Sequence, residues 1–102
     1  MKIVKVIYTT RAEYAEQNQQ NIKNVMADLQ KLNHSGINYN ACLGPDGKTF
    51  IHTAFFKSDE DQKTLNELSS FKHFQEQLKA GGFETPPKQK LLTLVGSSVD
   101  IF

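Results

Sequence analysis

The segment Thr49–Phe56 reads T-F-I-H-T-A-F-F and carries large or β-branched side chains at both odd and even positions. A strand with water on one face of its sheet normally alternates apolar and polar residues. Because this segment does not alternate, we expect both faces of its sheet to be covered. Its one ionisable side chain is His52, and an imidazole titrates near neutral pH. The segment therefore predicts a covered strand with a polar group in an apolar interior.

The residues on either side predict further strands. Ile37–Leu43 precedes a G-P-D-G turn, Gly44–Gly47, in which proline presets φ and the last glycine can adopt positive φ. Together with Thr49–Phe56 it predicts a hairpin. Near the amino terminus, Lys2–Thr9 contains the run I-V-K-V-I-Y, which is rich in β-branched residues and predicts a strand.

Two amphipathic helices are predicted around the hairpin. The first runs from Arg11 to about Asn33, with an apolar stripe at spacings of three and four. We expect Thr10 and Glu13 to form its capping box and Gly36 to stop it. The second begins near Ser58 and Asp61, is interrupted near Ser69-Ser70 and continues as a main helix over Phe71–Ala80.

The carboxyl-terminal part predicts a last strand and a docking tail. Pro86-Pro87 is expected to hold an extended linker, and Lys90–Gly96 to form the strand. The tail Ser97–Phe102 ends in V-D-I-F, which is apolar enough to pack on the protein. Either it adds a strand to its own sheet or it reaches a partner.

The predicted order β-α-β-β-α-β over a single domain, residues 1–102, is that of the ferredoxin-like α+β fold, with a four-stranded antiparallel sheet. Two helices cover only one face of such a sheet, yet both faces of the predicted strands are apolar. An exposed apolar face costs roughly 25 cal/mol for each Å² left in water. We therefore expect a second copy to cover it, so that two sheets meet as a homodimeric α+β barrel.

The composition excludes several classes of protein. The 102 residues are 38% hydrophobic and 23% charged with a net charge of +1, which is typical of a soluble globular domain. The basic residues are dispersed, so we expect no nucleic-acid partner. Cys42 is the single cysteine, which leaves no internal disulfide and no metal-ligand spacing. No apolar run is long enough to span a membrane, and no signal peptide is evident, so a cytoplasmic protein is expected.

The chain also resembles a known superfamily in several short motifs, taken in order along the sequence. They are Arg11–Asn18, Gly36–Tyr39, Asp46–His52, Phe71–Gln75, Glu84–Pro87 and Leu94–Ser97. On these motifs it resembles the dimeric α+β-barrel superfamily, which includes antibiotic-biosynthesis-monooxygenase-like domains. Within that superfamily it is most similar to a group of small uncharacterised bacterial proteins.

The resemblance implies a range of chemistry rather than one activity. Superfamily members oxidise phenolic polyketides without metal or flavin, cleave haem, isomerise small acids or only bind ligands. The tryptophan that such oxygenases often use is missing, since the chain contains none. Gln75 stands where the haem-degrading members carry their proximal histidine. Because these residues are missing, we expect neither haem nor another cofactor. The resemblance does not assign one activity, since a fold alone does not determine a function.

His52 is the candidate catalytic residue. It could act as a general base on a phenol or enol, or donate a hydrogen bond to a ligand oxygen. The alternative is a structural histidine, since any buried polar group needs a hydrogen-bond partner. Whether it shares a sheet face with Tyr39 depends on the strand register, which the sequence leaves open.

The candidate ligand-binding residues are polar or aromatic side chains near His52. Tyr39 could donate its hydroxyl to a ligand and Asn38 could orient one, while Asn18 could point into a pocket between helix and sheet. Phe50 and Phe74 could form part of an apolar wall. Each has a plainer alternative, because tyrosine and phenylalanine also fill cores and asparagine also caps loops.

These residues predict a homodimer that binds a small apolar or aromatic molecule in a helix–sheet pocket. Cofactor-independent monooxygenase-like chemistry is the expected reaction if the protein is an enzyme. The alternative is a dimer that binds a ligand without catalysis or serves a structural role.

Overall fold

The computed structural model describes residues 1–102 and forms a single antiparallel sheet with helices on one face. Its elements are β1 (Lys2–Thr10), a 3₁₀ turn (Ala12–Tyr14), α1 (Ala15–Leu32), β2 (Ile37–Leu43), β3 (Thr49–Phe56), α2 (Asp59–Glu67), α3 (Ser69–Lys79) and β4 (Phe83–Leu92). The strand order is β2-β3-β1-β4. The ferredoxin-like α+β fold predicted from the sequence is confirmed.

The core lies between the helices and one sheet face, which we call the inner face. Alternate residues of β3 are buried there, because successive side chains of a strand point to opposite faces. Val4 and Tyr8 of β1 are opposite Ala54 and Phe50 of β3 in the register. The buried cluster consists of Val4, Tyr8, Ala15, Val25, Phe50, Ala54, Phe56, Leu65, Phe74 and Leu78.

The start of α1 and the residue that stops it differ from the prediction, while the end falls next to Asn33 as expected. The expected capping box at Thr10 and Glu13 is absent, because the Thr10 hydroxyl donates to the Lys48 carbonyl oxygen instead. Residues 12–14 form a 3₁₀ turn before the α-helix begins. At the other end Asn33, not Gly36, adopts the left-handed conformation, with φ 51°. Asparagine tolerates that region better than most residues, so the helix stops three residues earlier than Gly36.

The second capping box is confirmed. Ser58 accepts a hydrogen bond from the Asp61 amide, and the Asp61 carboxylate accepts one from the Ser58 amide. His34, just beyond α1, is 2.5 Å from the same carboxylate. The interruption falls at Leu68 rather than at Ser69-Ser70, and two helices result in place of a turn and a helix.

The predicted position of the last strand is wrong. β4 spans Phe83–Leu92, so the expected linker is part of the strand and residues 93–96 are not. Proline lacks an amide hydrogen and is tolerated where a strand lies at the sheet edge or at a bulge. Pro86 and Pro87 meet both conditions. β4 pairs only with β1, and the register shifts between Ile7 and Thr9, opposite the two prolines.

The tail forms no additional strand. The carbonyl oxygen of Ile101 accepts a hydrogen bond from Asn38 of β2, at 3.4 Å. Because β4 and β2 occupy opposite edges of the sheet, the segment after β4 crosses from one edge to the other. It therefore docks on its own chain.

The second sheet face, which we call the outer face, carries two apolar pairs with Lys5 and Thr53 between them. Ile3 is opposite Phe55 and Ile7 is opposite Ile51 across the β1–β3 pair. Ile3 is buried, and the other three side chains are only partly buried. No helix covers this face, since all of them pack on the inner one.

Candidate functional site

A chain of buried hydrogen bonds runs from α1 across the inner face of the sheet. Asn18 Nδ2 donates to Tyr8 Oη at 2.9 Å. The Tyr8 hydroxyl is 2.7 Å from His52 Nε2, and the Tyr39 hydroxyl is 2.5 Å from His52 Nδ1. We call these four residues the relay. Both imidazole nitrogens are thus occupied by tyrosine hydroxyls.

The strand register produces this arrangement. His52 lies on β3, between β1 and β2, opposite Val6 on one side and Ala41 on the other. Tyr8 and Tyr39 are each two residues from those partners, so they are diagonal neighbours of His52 on the same face. Diagonal neighbours in an antiparallel sheet lie within reach of aromatic side chains. One tyrosine therefore reaches each nitrogen of the ring.

Burial keeps the relay uncharged at neutral pH. Desolvation lowers the pKa of His52 from 6.5 to about 4, because burial disfavours the imidazolium. Desolvation likewise raises the pKa of Tyr8, although its hydrogen bond from Asn18 opposes the effect. The pKa of Tyr39 is raised by desolvation and further by the nearby Tyr8. At pH 7 the relay thus consists of a neutral imidazole between two neutral phenols.

A cavity of about 370 Å³ opens beside the relay, between the inner face and α2 and α3. Tyr8, His52 and Tyr39 all line it, and 11 of the 18 lining residues are hydrophobic. The other lining residues are Val4, Val6, Ala54, Phe56, Gln62, Leu65, Asn66, Phe71, Phe74, Gln75, Leu78, Lys79, Phe83, Pro87 and Gln89. Such a volume and lining are typical of sites for small organic molecules.

Aromatic rings surround His52. The ring centroid of Phe74 is 5.5 Å from that of His52, and Phe71 meets Tyr39 edge-on at 6.3 Å. Phe83 meets Tyr8 edge-on at 5.7 Å. These contacts fix the rings of the relay in place and give the cavity an aromatic wall.

The structure brings together only part of the predicted site. His52, Tyr39 and Phe74 line the cavity, and the open question of register is answered because His52 and Tyr39 share the inner face. Asn18 is fully buried behind Tyr8 and does not line the cavity. Phe50 stacks on Tyr8, with centroids 5.6 Å apart, and supports it from the far side.

Asn38 does not belong to this site. It is opposite Phe55 in the register, so it lies on the outer face, where it holds Ile101. The expectation that it orients a ligand beside His52 is therefore wrong. The odd–even alternation of β2 separates it from Tyr39, its neighbour in sequence.

Tyr8 is the member of the relay that the sequence analysis missed as a site residue. It ends the apolar run of β1 and is 2% exposed, as an ordinary core residue would be. The available signal was its position at the polar end of that run, where a hydroxyl can find a partner. Only the pairing of β1 with β3 identifies that partner as His52.

No group of three or more His, Cys, Asp or Glu side chains is arranged to hold a metal ion. None of the helices has both the length and the apolar character needed to cross a bilayer.

Solved structures with this fold are numerous. A "Putative antibiotic biosynthesis monooxygenase" from Bacteroides thetaiotaomicron superposes with a TM-score of 0.84 at 11% identity, covering 97% of this chain and 93% of that chain. The chain has the fold of that protein. A protein with the same description from Nitrosomonas europaea superposes with a TM-score of 0.79 at 12% identity, and the alignment covers 94% of this chain and 100% of that chain. A third protein with that description, from Deinococcus radiodurans, superposes with a TM-score of 0.70 at 19% identity, and the alignment covers 100% of this chain and 99% of that chain.

Sequence comparison adds nothing to this finding. No family model matches the chain, and no curated protein matches it. At these identities the structural likeness establishes the fold alone, so the chemistry must be argued from the site.

Proposed function

We propose that this protein is a homodimer that binds a small, largely apolar or aromatic molecule in the cavity between the inner face and α2 and α3. The observation that supports this proposal is the presence of a buried His52, bracketed by Tyr8 and Tyr39, on the wall of a cavity lined mainly by hydrophobic residues. An apolar pocket with a few convergent polar groups is the usual form of a small-molecule site.

The outer face supports the homodimer. Ile3, Ile7, Ile51 and Phe55 form an apolar patch that no helix of the same chain covers. A second copy presents the same patch, and a two-fold axis can bring the two together. Lys5 of β1 lies on the same face between Ile3 and Ile7, and Lys88 and Lys90 lie on the edge strand β4. The two lysines of β4 form a charged margin of the kind that borders the apolar part of protein interfaces.

A second candidate function is cofactor-independent oxygenation, favoured by the fold of proteins described as antibiotic biosynthesis monooxygenases. His52 would be the base and Tyr39 would position the substrate. The low pKa of His52 limits this role. Moving a proton from a phenol, of pKa about 10, to an imidazole of pKa about 4 costs roughly 8 kcal/mol. The substrate would therefore need to be more acidic than a simple phenol, or ionised before it reacts.

The test of binding is a fluorescence titration with the neutral fluorophore N-phenylnaphthylamine, which brightens in apolar sites. We expect saturable binding by the wild type. Val6→Phe should weaken it at least tenfold, because the larger ring fills the cavity that Val6 lines. The matched control is Gln20→Phe on the exposed side of α1, which should leave the titration unchanged. Equal affinities for all three proteins, with intact circular dichroism, would contradict the proposal.

Catalysis is separated from binding by oxygen uptake. If the protein only binds its ligand, phenolic compounds that displace the fluorophore will be recovered unchanged and no oxygen will be consumed. Oxygen uptake that is lost in His52→Ala would favour the oxygenase.

A further inference from the structure

The hydrogen bonds of the relay can run in two directions. In the forward direction Asn18 Nδ2 donates to the Tyr8 oxygen, and the Tyr8 hydroxyl donates to His52 Nε2. His52 then carries its hydrogen on Nδ1 and donates it to the Tyr39 oxygen. In the reverse direction Tyr39 donates to Nδ1, Nε2 donates to the Tyr8 oxygen, and Tyr8 donates to the amide oxygen of Asn18. Both directions make three hydrogen bonds between the same pairs of residues.

The amide of Asn18 leaves both directions available. Asn18 is fully buried, and its Oδ1 has no hydrogen-bond partner while its Nδ2 is bonded to Tyr8. When the amide turns over, Oδ1 gains the Tyr8 hydroxyl and Nδ2 loses its partner instead. One end of the amide is thus unpaired in either direction, and a buried unpaired group is costly in both.

The two directions differ in the tautomer of His52. Its hydrogen lies on Nδ1 in the forward direction and on Nε2 in the reverse direction. Burial raises the pKa of both Tyr8 and Tyr39, so each hydroxyl keeps its own hydrogen at neutral pH. Reversal therefore releases one proton from Nδ1 to water and takes one up from water at Nε2, without a net change of charge. His52 lines the cavity, which gives water a route to the ring.

The direction decides what Tyr39 offers to the cavity that it lines. In the forward direction its oxygen accepts from His52, and its hydrogen is free to donate to a ligand. In the reverse direction its hydrogen is bonded to His52, and its oxygen is free to accept from a ligand. A ligand that only accepts hydrogen bonds therefore pairs in the forward direction alone. A ligand that only donates leaves the Tyr39 hydrogen unpaired unless the relay is reversed.

We propose that the relay reverses as a unit, so that the cavity binds neutral hydrogen-bond acceptors and neutral donors through the same Tyr39 hydroxyl, and that the ligand selects the tautomer of His52. This inference rests on the proposed ligand-binding function and specifies two ligand classes for the same cavity, aromatic ketones and aromatic N–H compounds. A ligand shifts an equilibrium only by its difference in affinity for the two states. One hydrogen bond made in one direction alone corresponds to a shift of roughly fivefold.

The experiment is NMR spectroscopy of the ¹⁵N-labelled protein at neutral pH. Two-bond ¹H–¹⁵N correlations distinguish a protonated imidazole nitrogen from an unprotonated one, and the His52 signals are those missing from His52→Gln. We expect both tautomers in the unliganded protein. Acetophenone, whose carbonyl oxygen only accepts, should raise the proportion of the Nδ1–H tautomer roughly fivefold. Indole, whose N–H only donates, should raise the proportion of the Nε2–H tautomer by a similar factor.

Asn18→Leu tests whether Asn18 is a positioning residue that acts through Tyr8. Without the amide, the reverse direction buries the Tyr8 hydroxyl hydrogen with no acceptor, while the forward direction leaves only an oxygen lone pair unused. His52 should therefore carry its hydrogen on Nδ1, and indole should bind roughly fivefold more weakly than to the wild type. Asn24→Leu is the matched control, since Asn24 is exposed on the same helix and accepts from Gln20. It should leave both tautomers populated.

The outcomes separate this inference from the proposed function. A single His52 tautomer that persists with acetophenone and with indole bound would overturn the inference and leave ligand binding intact. If N-phenylnaphthylamine binds and neither compound displaces it, the inference is also wrong. If none of the three binds, the proposed function itself fails, and selection by a ligand fails with it. Should Asn18→Leu not fold, the wild-type spectra still decide, because a relay of fixed direction responds to neither compound.

Discussion

His52 is neutral at pH 7 in the folded protein because burial among aromatic rings lowers the pKa of its imidazole. The sequence predicted an ionisable group in an apolar strand, and that part follows from the side chains of β3 alone. It could not identify the partners of the imidazole, because Tyr8 and Tyr39 come from strands on either side. Register places them, and register depends on which residues the helices bury.

The buried imidazole predicts a pH-dependent stability. The pKa of His52 is about 4 in the folded protein and 6.5 when unfolded, so the unfolded chain takes up the proton first as pH falls. The contribution of the neutral His52 to the free energy of unfolding is complete above pH 6.5 and is lost as the pH falls from 6.5 to about 4. It amounts to about 3 kcal/mol, from a shift of 6.5 to about 4.

Urea unfolding between pH 7 and pH 4 measures this loss. His52→Gln should flatten the dependence because glutamine does not titrate, while His73→Gln, at an exposed position on α3, should leave it as in the wild type. A wild-type free energy of unfolding that stays constant over this range would contradict the neutral imidazole.

Gly36 connects α1 to β2 and lies against the capping box of α2. A β-carbon there would overlap the Asp61 carboxylate. Asp61 cannot easily move away, because it accepts hydrogen bonds from Ser58 and pairs with His34. From the sequence Gly36 is predicted only as a helix stop, because its proximity to Asp61 arises when the loop and α2 pack together.

Gly36→Ala should therefore destabilise the protein by about 1–3 kcal/mol, the usual cost of forced overlap in a packed site. Gly96→Ala is the matched control: it has open space around its β-carbon and no positive φ, and it should change the melting temperature little. Equal melting temperatures for Gly36→Ala and the wild type would contradict this, because they would show that the Asp61 side chain can move aside without loss of stability.

The molecule as a whole has one sheet face that the helices cover and one that no helix covers. The tail reaches Asn38 on that outer face, where Ile7 and Ile51 remain partly exposed. The proposed partner is a second copy, which would remove Ile7 and Ile51 from water. We expect the wild type to sediment as a dimer in analytical ultracentrifugation.

Ile51→Asp should convert it to a monomer, because it would bury a carboxylate opposite Ile7 and Cys42 at the contact. Gln20→Asp introduces the same charge on α1 and should remain dimeric. A monomeric wild type at micromolar concentration would contradict the proposed assembly.

The sequence by itself determined the order of elements, the four-stranded antiparallel sheet and the placement of His52 in an apolar strand. Those features depend on local periodicity and turn chemistry, which are encoded by residues close together in the sequence. Only the tertiary structure decided the extent of β4, since Pro86 and Pro87 are acceptable in a strand once it lies at an edge. Only it assembled Asn18, Tyr8, His52 and Tyr39 into a relay, because four residues from four elements meet through long-range packing, which no local pattern encodes.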